Sequence, residues 1–137
     1  MDAPPFDTQL TFFPVRDLSA TRDFYGRDLG LRLARDQGTC LIYAVGGAYV
    51  GFCASAAAEG STPAESCAGL IVTFVTDEVD AWYGRLRRLG IETEGAPRTH
   101  PDFGIYHFFA RDPDGYRIEV QRFDEPLQPA READGQV

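Results

Sequence analysis

Val15-Arg16-Asp17-Leu18 runs into Asp23-Phe24-Tyr25-Gly26-Arg27 and Leu29-Gly30, and the chain then repeats the phrase. The second copy reads Val75-Thr76-Asp77-Glu78-Val79, then Ala81-Trp82-Tyr83-Gly84-Arg85 and Leu89-Gly90. The copies lie 60 residues apart at the valine, 58 at the tyrosine and 60 at the Leu-Gly. Two copies of one supersecondary unit in a short chain predict a duplicated fold with a site between the halves.

Flanking sequence completes each unit. Residues 7–15 read as a strand, with Leu10, Phe12 and Pro14 on one face and Thr11, Phe13 and Val15 on the other. Ser19 is placed to cap a helix carrying Phe24, Tyr25 and Leu29, ended by Gly30. Strands follow over 31–37, 39–45 and 48–54, the last two joined at Gly46-Gly47. The second unit repeats this order: strand 69–76, helix 78–89, strand 91–94, a loop with Pro97, His100, Pro101 and Gly104, then strands 105–111 and 116–123. One domain is expected over 7–123, made of a module 7–54, a flexible linker 55–68 and a module 69–123. Residues 1–6 are expected as a loose arm. The Pro-, Glu-, Asp- and Gln-rich 124–137 is expected as a disordered tail.

Turn chemistry sets the register of the last hairpin. Asp112-Pro113-Asp114-Gly115 suits a type I turn followed by a left-handed glycine, which pairs Asp112 with Tyr116. Phe108 then faces Val120 and Ala110 faces Ile118, an apolar face for the helices. The opposite face pairs His107 with Gln121 and Phe109 with Glu119, leaving His107 and Glu119 as diagonal neighbours. The same logic at Gly46-Gly47 pairs Ala44 with Ala48, so that Tyr43 faces Tyr49 and Thr39 faces Cys53. Tyr43, Tyr49, Cys53, His107, Phe109, Glu119 and Gln121 are thereby expected on one concave surface.

Composition narrows the partners. At 137 residues, 44% hydrophobic and 25% charged, the chain fits one globular domain. No apolar run reaches the ~20 residues that span a bilayer and no signal segment opens the chain, so the cytoplasm is the expected location. A formal charge of −8 disfavours nucleic acid and anionic membrane and leans toward a cationic small molecule. Cys40, Cys53 and Cys67 are odd in number and lack CxxC spacing, so neither a disulfide framework nor a zinc knuckle is expected.

The repeat, with Pro14-Val15-Arg16-Asp17-Leu18 and Arg111-Asp112-Pro113-Asp114-Gly115-Tyr116-Arg117-Ile118-Glu119, resembles the vicinal oxygen chelate superfamily. That group includes glyoxalase I, extradiol dioxygenases, fosfomycin-resistance enzymes and bleomycin-resistance proteins. The resemblance implies an α+β fold: two β-α-β-β-β modules forming a curled mixed-sheet cup, with helices on the outer face, commonly as a homodimer. Metal-using members carry four ligand slots, one early and one late in each module. Glu119 matches the late slot of the second module. Aligned through Val15 and Val75, the early slots hold Leu10 and Leu70, and the late slot of the first module falls near Gly51. Divalent metals need several oxygen or nitrogen donors, and one carboxylate is too few.

Each candidate also has a plainer role. Glu119 is a general base or ligand anchor, or the polar face of a half-exposed strand with Arg117 and Gln121. His107 is a proton shuttle, or a hydrogen-bonded histidine beside aromatics. Tyr43, Tyr49 and Phe109 stack on a ligand or belong to the core. Cys53 reads as a small buried apolar residue, and His100 as a lid or an exposed loop histidine. The resemblance then implies a metal-independent protein, with no cofactor, that sequesters an antibiotic or metabolite in the aromatic-lined cup. Leu10 and Leu70 would join the lining. The alternative is a lyase, isomerase or dioxygenase. It would use Glu119 and His107 for acid–base chemistry, or hold Zn, Ni, Mn or Fe in an atypical site.

Overall fold

The computed structural model describes residues 3–55 and 63–128. The arm at 1–2, the linker at 56–62 and the tail at 129–137 lie outside the described residues. The chain forms two compact units: residues 1–70 with 111–116, and residues 71–110 with 117–137. Each contains a four-stranded mixed sheet, which makes the fold α+β as expected.

In the first unit β1 (Leu10–Val15) leads into α1 (Leu18–Thr21), which continues as a wider turn over Arg22–Asp28. The helix start is Asp17 rather than Ser19: the Asp17 carboxylate accepts from the Ser19 amide at 2.9 Å. Along the wider turn the Leu29 amide reaches back five residues to the Phe24 carbonyl at 2.8 Å, and Phe24, Tyr25 and Leu29 are all buried. β2 (Arg32–Asp36), β3 (Cys40–Val45) and β4 (Ala48–Ala54) complete the sheet in the order β1-β4-β3-β2, with β1 parallel to β4. A 3₁₀ turn, Pro63–Cys67, occupies part of the segment expected as linker.

The β3–β4 turn differs from expectation by one residue. Gly46 and Gly47 alone form the loop, Gly46 at φ 55°, and Val45 pairs with Ala48. Two glycines accept a two-residue turn as readily as a longer one, and a slip of one residue sends every side chain to the other face. Tyr43 therefore stands opposite Val50, on the helix side. It is buried there against Tyr25 and Phe52. Cys40 now stands opposite Cys53, and the two form a disulfide, which corrects the expectation of no disulfide and the reading of Cys53 as a small apolar residue.

Tyr25 stacks on Phe52 at 4.2 Å, and Phe13 meets Tyr116 edge-on at 5.3 Å. Beneath them lies Asp112, which is 6% exposed. One oxygen accepts from the Tyr25 hydroxyl at 2.7 Å; the other accepts from the amides of Asp114 and Tyr116, both at 2.9 Å. Burial is the main cause that lifts this carboxyl from 3.8 to about 6. The Tyr116 hydroxyl donates to the Pro14 carbonyl at 2.7 Å.

The second unit holds β5 (Ile71–Val75), α2 (Val79–Arg88), β6 (Arg98–His100), β7 (Ile105–Arg111) and β8 (Arg117–Phe123), in sheet order β5-β8-β7-β6. Helix α2 carries Asp80 in its first turn and Arg85, Arg87 and Arg88 in its last, charges that complement the helix dipole. It buries Val79 and Leu86 and sets Tyr83 edge-on to Phe108 at 5.3 Å. The expected strand 91–94 is reduced to a bridge from Thr93 to Ala110. The unit's second strand comes later, as β6, inside the stretch expected as a loop. Gly95, at φ 100°, and Pro97 delay strand formation until Arg98. The Asp112-to-Gly115 turn forms as expected, with Gly115 at φ 88° and the Asp112 amide on the Tyr116 carbonyl at 3.0 Å.

Among the described residues no helix is long and apolar enough to cross a membrane, which says nothing of strand-built barrels.

Candidate functional site

Side chains alternate across a strand, so β5, β6, β7 and β8 each send every second residue to the sheet face away from α2. Ile71 and Thr73 come from β5, Arg98 and His100 from β6, His107 and Phe109 from β7, and Glu119 and Gln121 from β8. All but Thr73 line an open cavity of about 590 Å³ in the second unit.

The polar centre of this face is Glu119, 9% exposed. Its Oε1 accepts from the Thr73 hydroxyl at 2.9 Å and its Oε2 meets His107 Nδ1 at 2.7 Å. The Gln121 amide, turned with its nitrogen toward the carboxylate, donates to Oε2 at 3.0 Å. The arrangement that satisfies all three contacts has the Glu119 oxygens accepting from Thr73, Gln121 and His107 Nδ1, which assigns the Nδ1–H tautomer to His107. In the neutral ring Nε2 then carries a lone pair. His107 is 5% exposed, and its Nε2 is buried without a protein partner among the described residues. His100 Nδ1 is likewise buried and unpartnered, on a ring 6.0 Å from that of His107.

Apolar surface surrounds these groups. Phe109 lies edge-on to His107 at 5.1 Å, Phe103 lies 4.6 Å from the His100 ring, and Phe123 and Ile105 also line the cavity. The Arg117 guanidinium sits 3.6 Å from the Phe109 ring centre and forms two hydrogen bonds to Glu94, at 3.0 and 3.1 Å. Arg98 is exposed at the margin, and no carboxylate pairs with it among the described residues.

Four of the sequence-derived candidates, Glu119, His107, Phe109 and Gln121, meet here. Tyr43 does not; it belongs to the aromatic core under α1. Leu10, Tyr49 and Cys53 share a face of the first unit's sheet, together with Phe12 and Gly51. Leu70 precedes β5, exposed, and its neighbour Ile71 lines the cavity instead. The reason lies in the repeat: Val15 is buried and Val75 is 58% exposed, so the two valines face opposite ways and the alignment through them is one residue out in the strands. Thr73, Arg98 and Arg117 were not singled out as site residues. Thr73 lies opposite Glu119 in the parallel β5–β8 register, and Arg98 opposite His107.

A family model described as the Glyoxalase/Bleomycin resistance protein/Dioxygenase superfamily matches residues 9–120. The chain belongs to this superfamily. No curated protein matches it. Among solved structures, a lactoylglutathione lyase from Agrobacterium tumefaciens is similar at 25% identity and TM-score 0.66, over 88% of this chain and 96% of that one. A glyoxalase/bleomycin resistance protein/dioxygenase from Nocardioides is 21% identical with TM-score 0.68, over 97% and 93%. A fosfomycin resistance protein from Mesorhizobium loti is 17% identical with TM-score 0.61, over 83% and 88%.

The divalent ion used by superfamily members can be tested against the donors present. Among the described residues, no three His, Cys, Asp or Glu side chains converge to hold one. Glu119 already accepts on both oxygens, and Leu10 and Gly51 supply no donor atom. The donor set does not fit a divalent ion.

Proposed function

We propose that the chain is a metal-independent small-molecule-binding protein, with the cavity on the β5–β8 face as its binding site. One observation carries the reading: on the lining of an aromatic-walled cavity a buried imidazole is fixed through Nδ1 by Glu119, and its Nε2 is left without a protein partner among the described residues. A buried polar atom without a partner costs roughly 1–3 kcal/mol, which a ligand supplying a hydrogen bond recovers. Aromatic walls supply most of the affinity, and the polar atoms fix orientation. Sequestration of an antibiotic or metabolite is the physiological role that fits a binding site without a metal. Tyr49, Cys53 and Leu10 are secondary candidates for ligand contact on the first unit's sheet.

A second reading is an acid–base enzyme of the lyase or isomerase kind. The 2.7 Å contact between His107 Nδ1 and Glu119 favours it, because a carboxylate behind an imidazole stabilises the proton that Nε2 would take from a substrate. The similarity to a lactoylglutathione lyase at 25% identity agrees with it.

Elemental analysis of the purified protein and thermal shift with added Zn²⁺, Ni²⁺, Mn²⁺ or Fe²⁺ test the first reading. Metal near one equivalent per chain refutes it. Ligands found by screening should lose about tenfold or more in affinity with His107→Phe. If Glu119→Gln keeps ligand affinity and abolishes turnover, the enzyme reading stands instead. We further propose a cytoplasmic homodimer that binds neither nucleic acid nor membrane. Leu10, Phe12, Ile71 and Val75, exposed apolar residues on edge strands, support association, which light scattering after gel filtration tests. The Cys40–Cys53 bridge runs against a reducing compartment, so alkylation trapping in intact cells tests the location: both cysteines reduced in the cell agrees with the cytoplasm, and a bridge already closed there overturns it.

A further inference from the structure

We infer that the β5–β8 cavity takes a planar organic anion that also presents an O–H or N–H hydrogen to His107 Nε2, an inference that rests on the binding-site reading above. The sign follows from which charges are already satisfied. Arg117 is matched by its two bonds to Glu94, and the Glu119 carboxylate is enclosed by Thr73, His107 and Gln121. Arg98 is left on the cavity lining with no carboxylate paired to it among the described residues. A cationic ligand would meet two guanidinium groups and a carboxylate already occupied by donors. An anion meets one guanidinium with its full hydrogen-bonding fork still open. The charge of −8 on the whole chain points the other way, but exposed charges beyond about 8 Å are largely screened at physiological salt.

The size follows from register. Arg98 and His107 are direct cross-strand partners, so their Cβ atoms stand about 5 Å apart on one face. The Arg98 guanidinium lies beside Gly95, 3.8 Å from where a β-carbon there would stand. A ligand about one ring wide is long enough to bridge from that guanidinium to the neighbouring imidazole. Flatness follows from the walls: Phe103 and the two imidazoles supply ring faces and edges, and the Arg117 guanidinium covers the Phe109 ring at 3.6 Å, planar groups that stack on a π-system. A hydroxyl-bearing arene carboxylate has this combination of charge, donor and shape.

An isosteric series separates charge from shape: 3-hydroxybenzoate, 3-hydroxybenzamide and 3-hydroxybenzamidine, with benzoate as the form lacking the hydroxyl. Affinities are read from amide chemical-shift titrations of the full chain, with the shifted signals assigned to β5–β8. The carboxylate is expected to bind about tenfold more tightly than the amide, with the amidinium weakest, and benzoate several-fold more weakly than its hydroxylated form. Arg98→Gln, at an exposed position where folding is not at stake, should erase the difference between carboxylate and amide. His107→Phe should erase the difference between 3-hydroxybenzoate and benzoate. An amidinium that binds as well as the carboxylate, or a charge preference that survives Arg98→Gln, overturns the inference and leaves the binding site standing. Failure of every probe to perturb the β5–β8 face at millimolar concentration overturns the binding-site reading, and the inference falls with it.

Discussion

Replacing Asp112 by asparagine should change how stability depends on pH more than stability itself. Burial raises this carboxyl to about 6 from 3.8, against the opposing pull of the Tyr25 hydroxyl and two backbone amides. Well below pH 3.8 it is neutral folded and unfolded, and it carries no ionisation penalty. Between pH 4 and 6 the unfolded chain ionises first, so this group's contribution to stability falls as pH rises. Above pH 6 both states are ionised and the penalty is constant. A rise of about two pKa units corresponds to about 3 kcal/mol, reached by pH 7. The asparagine side chain would keep an oxygen for the amides of Asp114 and Tyr116 and would lose the acceptor for Tyr25, at a cost of about 1 kcal/mol. The variant should therefore be about 1 kcal/mol less stable than the parent at pH 4 and more stable by about 2 kcal/mol at pH 7. Urea unfolding followed by Trp82 fluorescence at half-unit pH steps measures the difference curve, which cancels the titration of every other carboxylate. Parallel curves for the two proteins from pH 4 to 7 would refute the reasoning, and so would a difference of the opposite slope.

Three further outcomes are expected. Reduction of Cys40–Cys53, or Cys40→Ser with Cys53→Ser, should lower the urea midpoint by the equivalent of at most about 3 kcal/mol, since the bridge closes a short loop that the Gly46-Gly47 turn already holds. Gly115→Ala should destabilise by about 1 kcal/mol because alanine resists the φ of 88° that the turn demands; thermal unfolding checks it. Tyr116→Phe should cost about 1 kcal/mol by leaving the Pro14 carbonyl without its 2.7 Å donor, and a larger loss in calorimetry would mean that the aromatic packing on Phe13 had also changed.

The parts of the molecule that could be read from sequence are those decided by local chemistry. Asp112-Pro113-Asp114-Gly115 permits few turns, and from that turn alternation alone carries His107 to Glu119. Gly46-Gly47 permits two turns that differ by one residue, and that residue decided whether Tyr43 faced the core and whether Cys40 met Cys53. β6 was hidden because it is three residues long and flanked by Pro97 and Pro101, and with it went Arg98 and His100 as wall residues. Thr73 could not be read at all: its partner is 46 residues away across a parallel pair, and no short turn sets that register. The repeat was true for the helices, where Tyr25 and Tyr83 both turn toward their own sheets, and misleading for the strands on either side.

Gly51, where the resemblance expects a ligand in the first module, lies beneath the ring of Phe12. A β-carbon there would fall 2.5 Å from two of that ring's atoms and 3.3 Å from Leu10. A carboxylate at position 51 would therefore compete with this phenyl group for the same space, and the neighbouring strand must first yield room by turning Phe12 aside or carrying a smaller side chain.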